Sequence, residues 1–167
     1  MKHIGLMSDT HGYLHPGVFG YFSDVDEIWH AGDIGSVELA ERLEAFKPLR
    51  AVWGNVDGAA LRIRYPEYSR FSCEGVEVLL IHIAGTPGKY TAQLRGLLAL
   101  KVPQVLICGH SHILKVMPDP GFSMLYMNPG ACGRQGWHKQ KTLLRFDADR
   151  GQLKNLEVIE LPKDPGV

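Results

Sequence analysis

Five short apolar runs in this chain each stop at an aspartate, asparagine or histidine, and that recurrence limits the fold more than any other feature. Ile4-Gly5-Leu6-Met7 leads to Asp9 and His11, Glu27-Ile28-Trp29 to Asp33, and Leu49 to Trp53 to Asn55. Val78 to Ile81 ends directly on His82, and Val105 to Cys108 leads to His110 and His112. Apolar runs of this length between turn residues read as buried strands. In sheets built from strand–helix–strand units, sites form at the carboxyl ends of the strands, where the loops converge.

The segments between these runs supply the layers. Val18 to Phe22 reads as a short helix. Ser36 to Phe46 reads as an amphipathic one, with Ser36 as N-cap, Leu39, Ala40, Leu43 and Phe46 on one face, and Pro48 closing it. The opening third is therefore strand–helix–strand–helix–strand, which predicts right-handed crossovers and a parallel sheet. Later, Tyr68–Cys73 and Val76–Ile81 flank a Glu74-Gly75 hairpin turn, and Tyr90–Leu100 reads as a helix. Further strands at 104–108, 114–117, 122–127, 142–147 and 153–160 are separated by Pro, Gly, Asn and Asp clusters. The sum is an α+β fold of one domain over 1–167, two packed sheets with helices outside, ending in a loose tail at 162–167.

Composition excludes several functions. Lys+Arg and Asp+Glu are both 18, giving a net charge of +0, which argues against a basic groove for long nucleic acid and against a polybasic membrane surface. No apolar run approaches the roughly 18 residues of a membrane span. Cys73, Cys108 and Cys132 form no CxxC pair, so a disulfide framework or zinc ribbon is not expected. That usage, with no signal-peptide pattern at Met1–Ile4, points to the cytoplasm.

The residues at the strand ends suit a metal centre. Asp and Asn offer hard oxygen and His borderline nitrogen, a mixture fitted to manganese, iron or zinc rather than to a thiolate-bound structural ion. Seven such residues exceed one tetrahedral ion and suit two ions about 3.5–4 Å apart, with Asp33 as the natural bridge. Gly32, Gly54 and Gly109 each precede one of them, where a missing side chain lets the chain turn sharply and a bulky ion or ligand approach the backbone. Taken singly, an Asp-x-His or a Gly-Asp is a common turn, and a histidine ending a strand is commonly a core residue. The weight lies in their conjunction. Of the other histidines, His3, His15 and His138 are expected at the surface, and His30 as a buttress out of ligand register.

In this order, Asp9-Thr10-His11, Gly32-Asp33, Gly54-Asn55-Val56-Asp57, His82 and Gly109-His110-Ser111-His112 resemble the five motifs of the calcineurin-like metallophosphoesterases. Ser8-Asp9-Thr10-His11-Gly12 and Asn128-Pro129-Gly130 resemble the small bacterial and archaeal branch, which also contains the retromer subunit related to vacuolar sorting. The resemblance spans residues 4 to about 131. It implies the four-layer α/β/β/α metallophosphatase fold, with two mixed sheets flanked by helices. It also implies that Asp9, His11 and His112 hold one divalent ion, that Asn55, His82 and His110 hold another, and that Asp33 bridges them. Manganese is the foremost cofactor, with iron, zinc or nickel as alternatives. The implied activity is hydrolysis of a small phosphoester by in-line attack of a metal-bridging hydroxide, with Asp33, Asn55 and Asp57 in catalytic roles. Homo-oligomers are common in this branch, and a non-enzymatic scaffold of the retromer-subunit type is the alternative reading. Seven intact ligand positions favour the enzyme.

The chain departs from the family in places. Val56 stands where the family commonly has the histidine thought to act as general acid, which favours phosphodiesters or activated esters. Ile81, Ile83 and Ala84 surround His82 where glycine is frequent, and Ala131 follows Asn128-Pro129-Gly130 where serine is common. Arg134, just beyond, is a candidate to reach a phosphate.

Overall fold

The computed structural model describes residues 1–164. In chain order the elements are β1 (Lys2–Met7), α1 (Gly17–Tyr21), β2 (Glu27–His30), α2 (Val37–Phe46), β3 (Leu49–Ala51), α3 (Ala59–Arg64), β4 (Tyr68–Cys73) and β5 (Val76–Ile81). They continue with β6 (Gly85–Thr86), β7 (Lys89–Tyr90), α4 (Ala92–Leu100), β8 (Val105–Ile107), β9 (Leu114–Asp119), β10 (Met124–Pro129), β11 (Thr142–Asp149) and β12 (Gln152–Glu160). One sheet runs β12-β11-β1-β2-β3 and a second β4-β5-β8-β10-β9, with β6-β7 as a small separate hairpin. β1, β2 and β3 are mutually parallel, as are β5, β8 and β10, while β11, β12, β4 and β9 pair antiparallel.

Alternation along each strand explains the layers. Successive side chains point to opposite faces. Leu6, Trp29, Leu80, Ile107 and Phe146 fill the space between the sheets. Their neighbours Met7 and Ile28 face outward against Val18, Leu39, Leu43 and Leu61 of the first three helices. Leu79, Ile81 and Leu106 face outward against Leu94, Leu97 and Leu98 of α4. Both faces of the central strands are covered, which is why they read as unbroken apolar runs. The result is the expected four-layer α/β/β/α fold. Trp29 anchors the middle, with Phe71 and Phe146 edge-on at 4.9 and 5.6 Å.

The turn and cap readings also hold. Glu74 and Gly75 both have positive φ, as a tight hairpin turn requires. The Ser36 side chain accepts from Leu39 N–H. Three local features differ. α3 has a single buried apolar residue, Leu61, and so no periodicity to read. Tyr90 belongs to β7, and α4 starts later, capped by Thr91. Of the tail expected to be loose, 165–167 lie outside the described residues, whereas Asp164 is held by Tyr13, Arg134 and Lys141 at 2.8, 2.9 and 3.1 Å. Among the described residues, no helix is long and apolar enough to cross a membrane.

Candidate metal centre

The carboxyl ends of β1, β2, β5 and β8 meet at one rim with the extended segment after β3. Backbone hydrogen bonds stitch the loops together there: Asp9 N–H to Gly32 O, His11 N–H to Asp33 O, and Gly109 N–H to His82 O, each at 3.0 Å. Gly133 N–H reaches Asp9 O at 3.1 Å from the loop beyond β10. Asp9, His11, Asp33, His110 and His112 all have φ between 47° and 68°. That left-handed region costs a non-glycine residue on the order of 1 kcal/mol. Five of the seven candidate residues adopt it together, and the stitched loops hold them there.

The side chains form two groups able to hold an ion, Asp9–His11–His112 and Asp33–His82–His110. Asp9 Oδ2 accepts from Ser8 Oγ at 2.6 Å and His110 N–H at 3.1 Å. Its Oδ1 is buried and without a hydrogen-bond partner among the described residues. This oxygen faces three imidazole nitrogens, His112, His11 and His82 Nε2, at 3.2, 3.8 and 3.9 Å. Asp33 repeats the pattern: Oδ1 accepts from Val56 N–H at 3.0 Å, and Oδ2 lies 3.1 Å from His82 Nε2 and 3.7 Å from His11 Nε2. Asn55 Oδ1 lies 3.1 Å from His82 Nε2 and 2.9 Å from His110 Nδ1. His82 Nδ1 donates to Ala31 O at 2.7 Å, which fixes the tautomer and leaves Nε2 a lone pair.

This geometry fits divalent cations. A buried carboxylate oxygen without a donor is costly in a folded chain. The nitrogen pair His11 Nε2 and His112 Nε2, 3.4 Å apart beside that oxygen, is the donor set an ion would satisfy. The preceding glycines serve the ligands more than the ion. A Cβ on Gly32 would fall 2.7 Å from His82 Nδ1, one on Gly109 2.8 Å from Asp9 Oδ2, and one on Gly54 would overlap the Asp33 carboxylate.

Several residues have other tasks than expected. Asp57 is buried, with Oδ2 accepting from Gly54 and Ile34 N–H at 2.8 and 3.1 Å and Oδ1 from Gly35 N–H at 2.8 Å. Both oxygens thus accept backbone donors that brace two loops. His15 is buried rather than on the surface, and accepts from Gly17 N–H. His138 is half-buried, its ring 5.3 Å from that of His112. His3 is exposed as expected. Arg134 ion-pairs with Asp164 and lies over the Tyr13 ring at 3.8 Å, so its guanidinium is engaged away from the centre. His30 is the expected buttress: Nδ1 accepts from Gly32 N–H, Nε2 meets Thr10 Oγ1, and burial pushes its pKa down to about 4, keeping it neutral. Sequence reasoning missed Asn128. Its Nδ2 donates to Gly109 O at 2.9 Å and Ser111 Oγ at 3.1 Å, holding the His110–His112 loop. The signal was present in Asn-Pro-Gly but reads equally well as a turn.

Electrostatics couple the two groups. Burial would raise the Asp9 and Asp33 carboxyls, but the close approach of His112 to Asp9 and of His82 to Asp33 outweighs it, and both are lowered. The Asp9 carboxylate, 3.2 Å from its Nε2, raises His112. Burial works against His82, yet bonding to Asp33 and the charges of both aspartates raise it. Without metal, each raised histidine contributes stability that is full below its unfolded value, about 6.5, and is lost as pH rises through its folded value. Metal binding reverses this, because the ligands must be neutral and protons are released. Metal-free protein is expected to lose melting temperature between about pH 6 and about pH 8, and manganese-loaded protein to gain it. Parallel slopes in a pair of thermal-shift series would contradict this.

Comparison with known proteins agrees with the geometry. Residues 1–151 match the calcineurin-like phosphoesterase superfamily domain. A Methanothermobacter thermautotrophicus protein described as a probable metallophosphoesterase is 36% identical over 135 residues, 77% of this chain and 76% of its own length. A Thermotoga maritima protein solved by solution NMR superposes with a TM-score of 0.75 at 23% identity, covering 96% of this chain and all (100%) of that one. Vps29 of Chaetomium thermophilum superposes at 0.72 and 14%, covering 96% of this chain and 97% of that one. These two structural likenesses concern the fold alone.

Proposed function

The chain belongs to the calcineurin-like phosphoesterase superfamily and is a metal-dependent phosphoesterase, and from that premise we propose that it prefers small phosphodiesters. In this reading Asp9, His11 and His112 hold one divalent ion, Asn55, His82 and His110 hold a second, and Asp33 lies between them. Manganese suits the mixed nitrogen and oxygen donors. The ions, when bound, supply a nucleophile deprotonated near neutral pH and neutralise charge on the phosphoryl group. Support for Asp33 as the bridge comes from Oδ2, which faces a histidine of each group, while Val56 N–H fixes Oδ1. Asn55 turns Oδ1 toward His82 and His110, which leaves its amide N–H group to donate to a phosphoryl oxygen. The three free, buried cysteines support a cytoplasmic setting.

One observation carries the preference for diesters. Val56 is exposed beside Asn55 and has no proton to give, and Asp57 is saturated by backbone donors. This loop therefore offers no acid to a poor leaving group. With manganese, kcat/KM for bis(p-nitrophenyl) phosphate is expected to exceed that for phenyl phosphate, a monoester whose leaving oxygen needs a proton, by at least about tenfold, and Val56→His to narrow the gap by restoring an acid. Equal or faster hydrolysis of the monoester by the unaltered protein would refute the preference.

A further inference from the structure

A groove of about 460 Å³ adjoins the metal centre, lined among others by His110, His112, Ile113, Gly136, Trp137 and His138. We propose that it binds an uncharged planar ring of the nucleobase kind carried by the ester substrate, so that the preferred substrates are nucleoside phosphodiesters. This rests on the phosphoesterase reading above and names the part of the substrate that the metals do not touch.

Four observations support it. The groove begins at His110 and His112, one from each metal-binding group, so a ring seated in it stays within reach of a phosphoryl group at the centre. Its walls carry two large exposed apolar side chains, Ile113 at 64% and a fully exposed Trp137. One exposed apolar residue is ordinary, but two facing a shared groove beside a reactive centre form a binding surface. Beyond the metal-binding histidines, no carboxylate, lysine or arginine lines it among the described residues, so that part offers no counter-charge to an ionic group. Finally, the loop bearing Trp137 is fixed to the centre. Gly136 has φ 118°, and a Cβ there would overlap His112 Nδ1. The His138 ring packs edge-on against His112, and its Nε2 donates to Gly133 O at 2.8 Å. Trp137 lies between these two anchors. An exposed indole on a loop anchored in that way is a stacking platform for any base, because every base has a π-face. The volume is of the size that takes a nucleoside-sized group.

The test uses manganese-loaded full-length protein and two p-nitrophenyl diesters with a common leaving group, one carrying thymidine and the other methyl. Trp137→Ala is expected to raise KM for the thymidine ester roughly tenfold and to leave the methyl ester within about twofold. Equal changes in both, or no change, overturn the proposal. Tryptophan emission gives a readout that needs no turnover: Trp29 is buried, Trp53 half-buried and Trp137 exposed, and the Trp137→Ala variant isolates the response of the other two. Thymidine monophosphate is expected to quench the unaltered protein and to have a much smaller effect on the variant. Quenching without hydrolysis of either ester would remove the phosphoesterase reading and leave the ring site standing. Hydrolysis of both esters with no quenching would remove the ring site alone. A fall in solution mass on Trp137→Ala, read by light scattering, would make Trp137 a contact between copies and also overturn the proposal.

Discussion

Asp33→Asn is expected to lower kcat/KM for an activated phosphodiester by at least about a thousandfold, with little change in the fold. The substitution is nearly isosteric, and an amide oxygen still accepts from Val56 N–H, so the loop after β2 keeps its place. What disappears is the negative charge between His82 and His11, 3.1 and 3.7 Å away. Two divalent ions would bring roughly four positive charges into two groups whose carboxylates, among the described residues, are Asp9 and Asp33. In the proposed bridging role, losing the Asp33 charge would weaken both ions together. Steady-state kinetics at saturating manganese, with the circular dichroism spectrum as fold control, checks this. A loss smaller than tenfold would mean that Asp33 is peripheral.

Gly54→Ala is the second large effect, and it acts through sterics. A Cβ at this position would overlap Asp33 Oδ1 and the Asp33 backbone nitrogen. Backbone cannot yield as a flexible side chain can, so either the loop after β3 or the one after β2 must move. Asp57 ties these same loops together by accepting from Gly54, Ile34 and Gly35 N–H, so any movement also strains that brace. A destabilisation of about 3 kcal/mol is expected, a fall in melting temperature of roughly 6–12 °C for a chain of this size, with activity lost by at least about a hundredfold. Gly58→Ala is the matched control. Gly58 has an ordinary φ of −80° and open space around its Cβ direction, so the same change there is expected to stay within about 1 kcal/mol, the weaker N-cap of α3 included. Similar melting temperatures for the two variants would show that the close approach at Gly54 is not real.

The residues gathered at the rim were legible because each follows a strand, and strand ends are where hydropathy changes most sharply. The layers were legible for a related reason. Leu79 and Leu80 look alike in sequence, yet their alternation sends one to α4 and the other between the sheets. What stayed hidden depends on tertiary placement. Nothing local distinguishes a free Asp57 from one saturated by three backbone donors, or an exposed His15 from a buried one. The left-handed backbone at Asp9, His11, Asp33, His110 and His112 was equally hidden, because no glycine marks it. It follows from the loops being stitched together across the rim. The pairing of Ile113 with Trp137 joins residues from separate loops that share no pattern. By contrast, the glycines before Asp33, Asn55 and His110 were visible: Gly32 takes the positive φ of a sharp turn, and the space at all three is taken by neighbouring side chains.

The central claim is that one centre holds two ions shared across Asp33. Anomalous diffraction from crystals grown with manganese tests it most directly. Two peaks are expected about 3.5–4 Å apart, one beside Asp9 Oδ1 and His112, the other beside Asn55 Oδ1 and His82, with the Asp33 carboxylate between them. A single peak at full occupancy, or two peaks with Asp33 turned away from both, would contradict it.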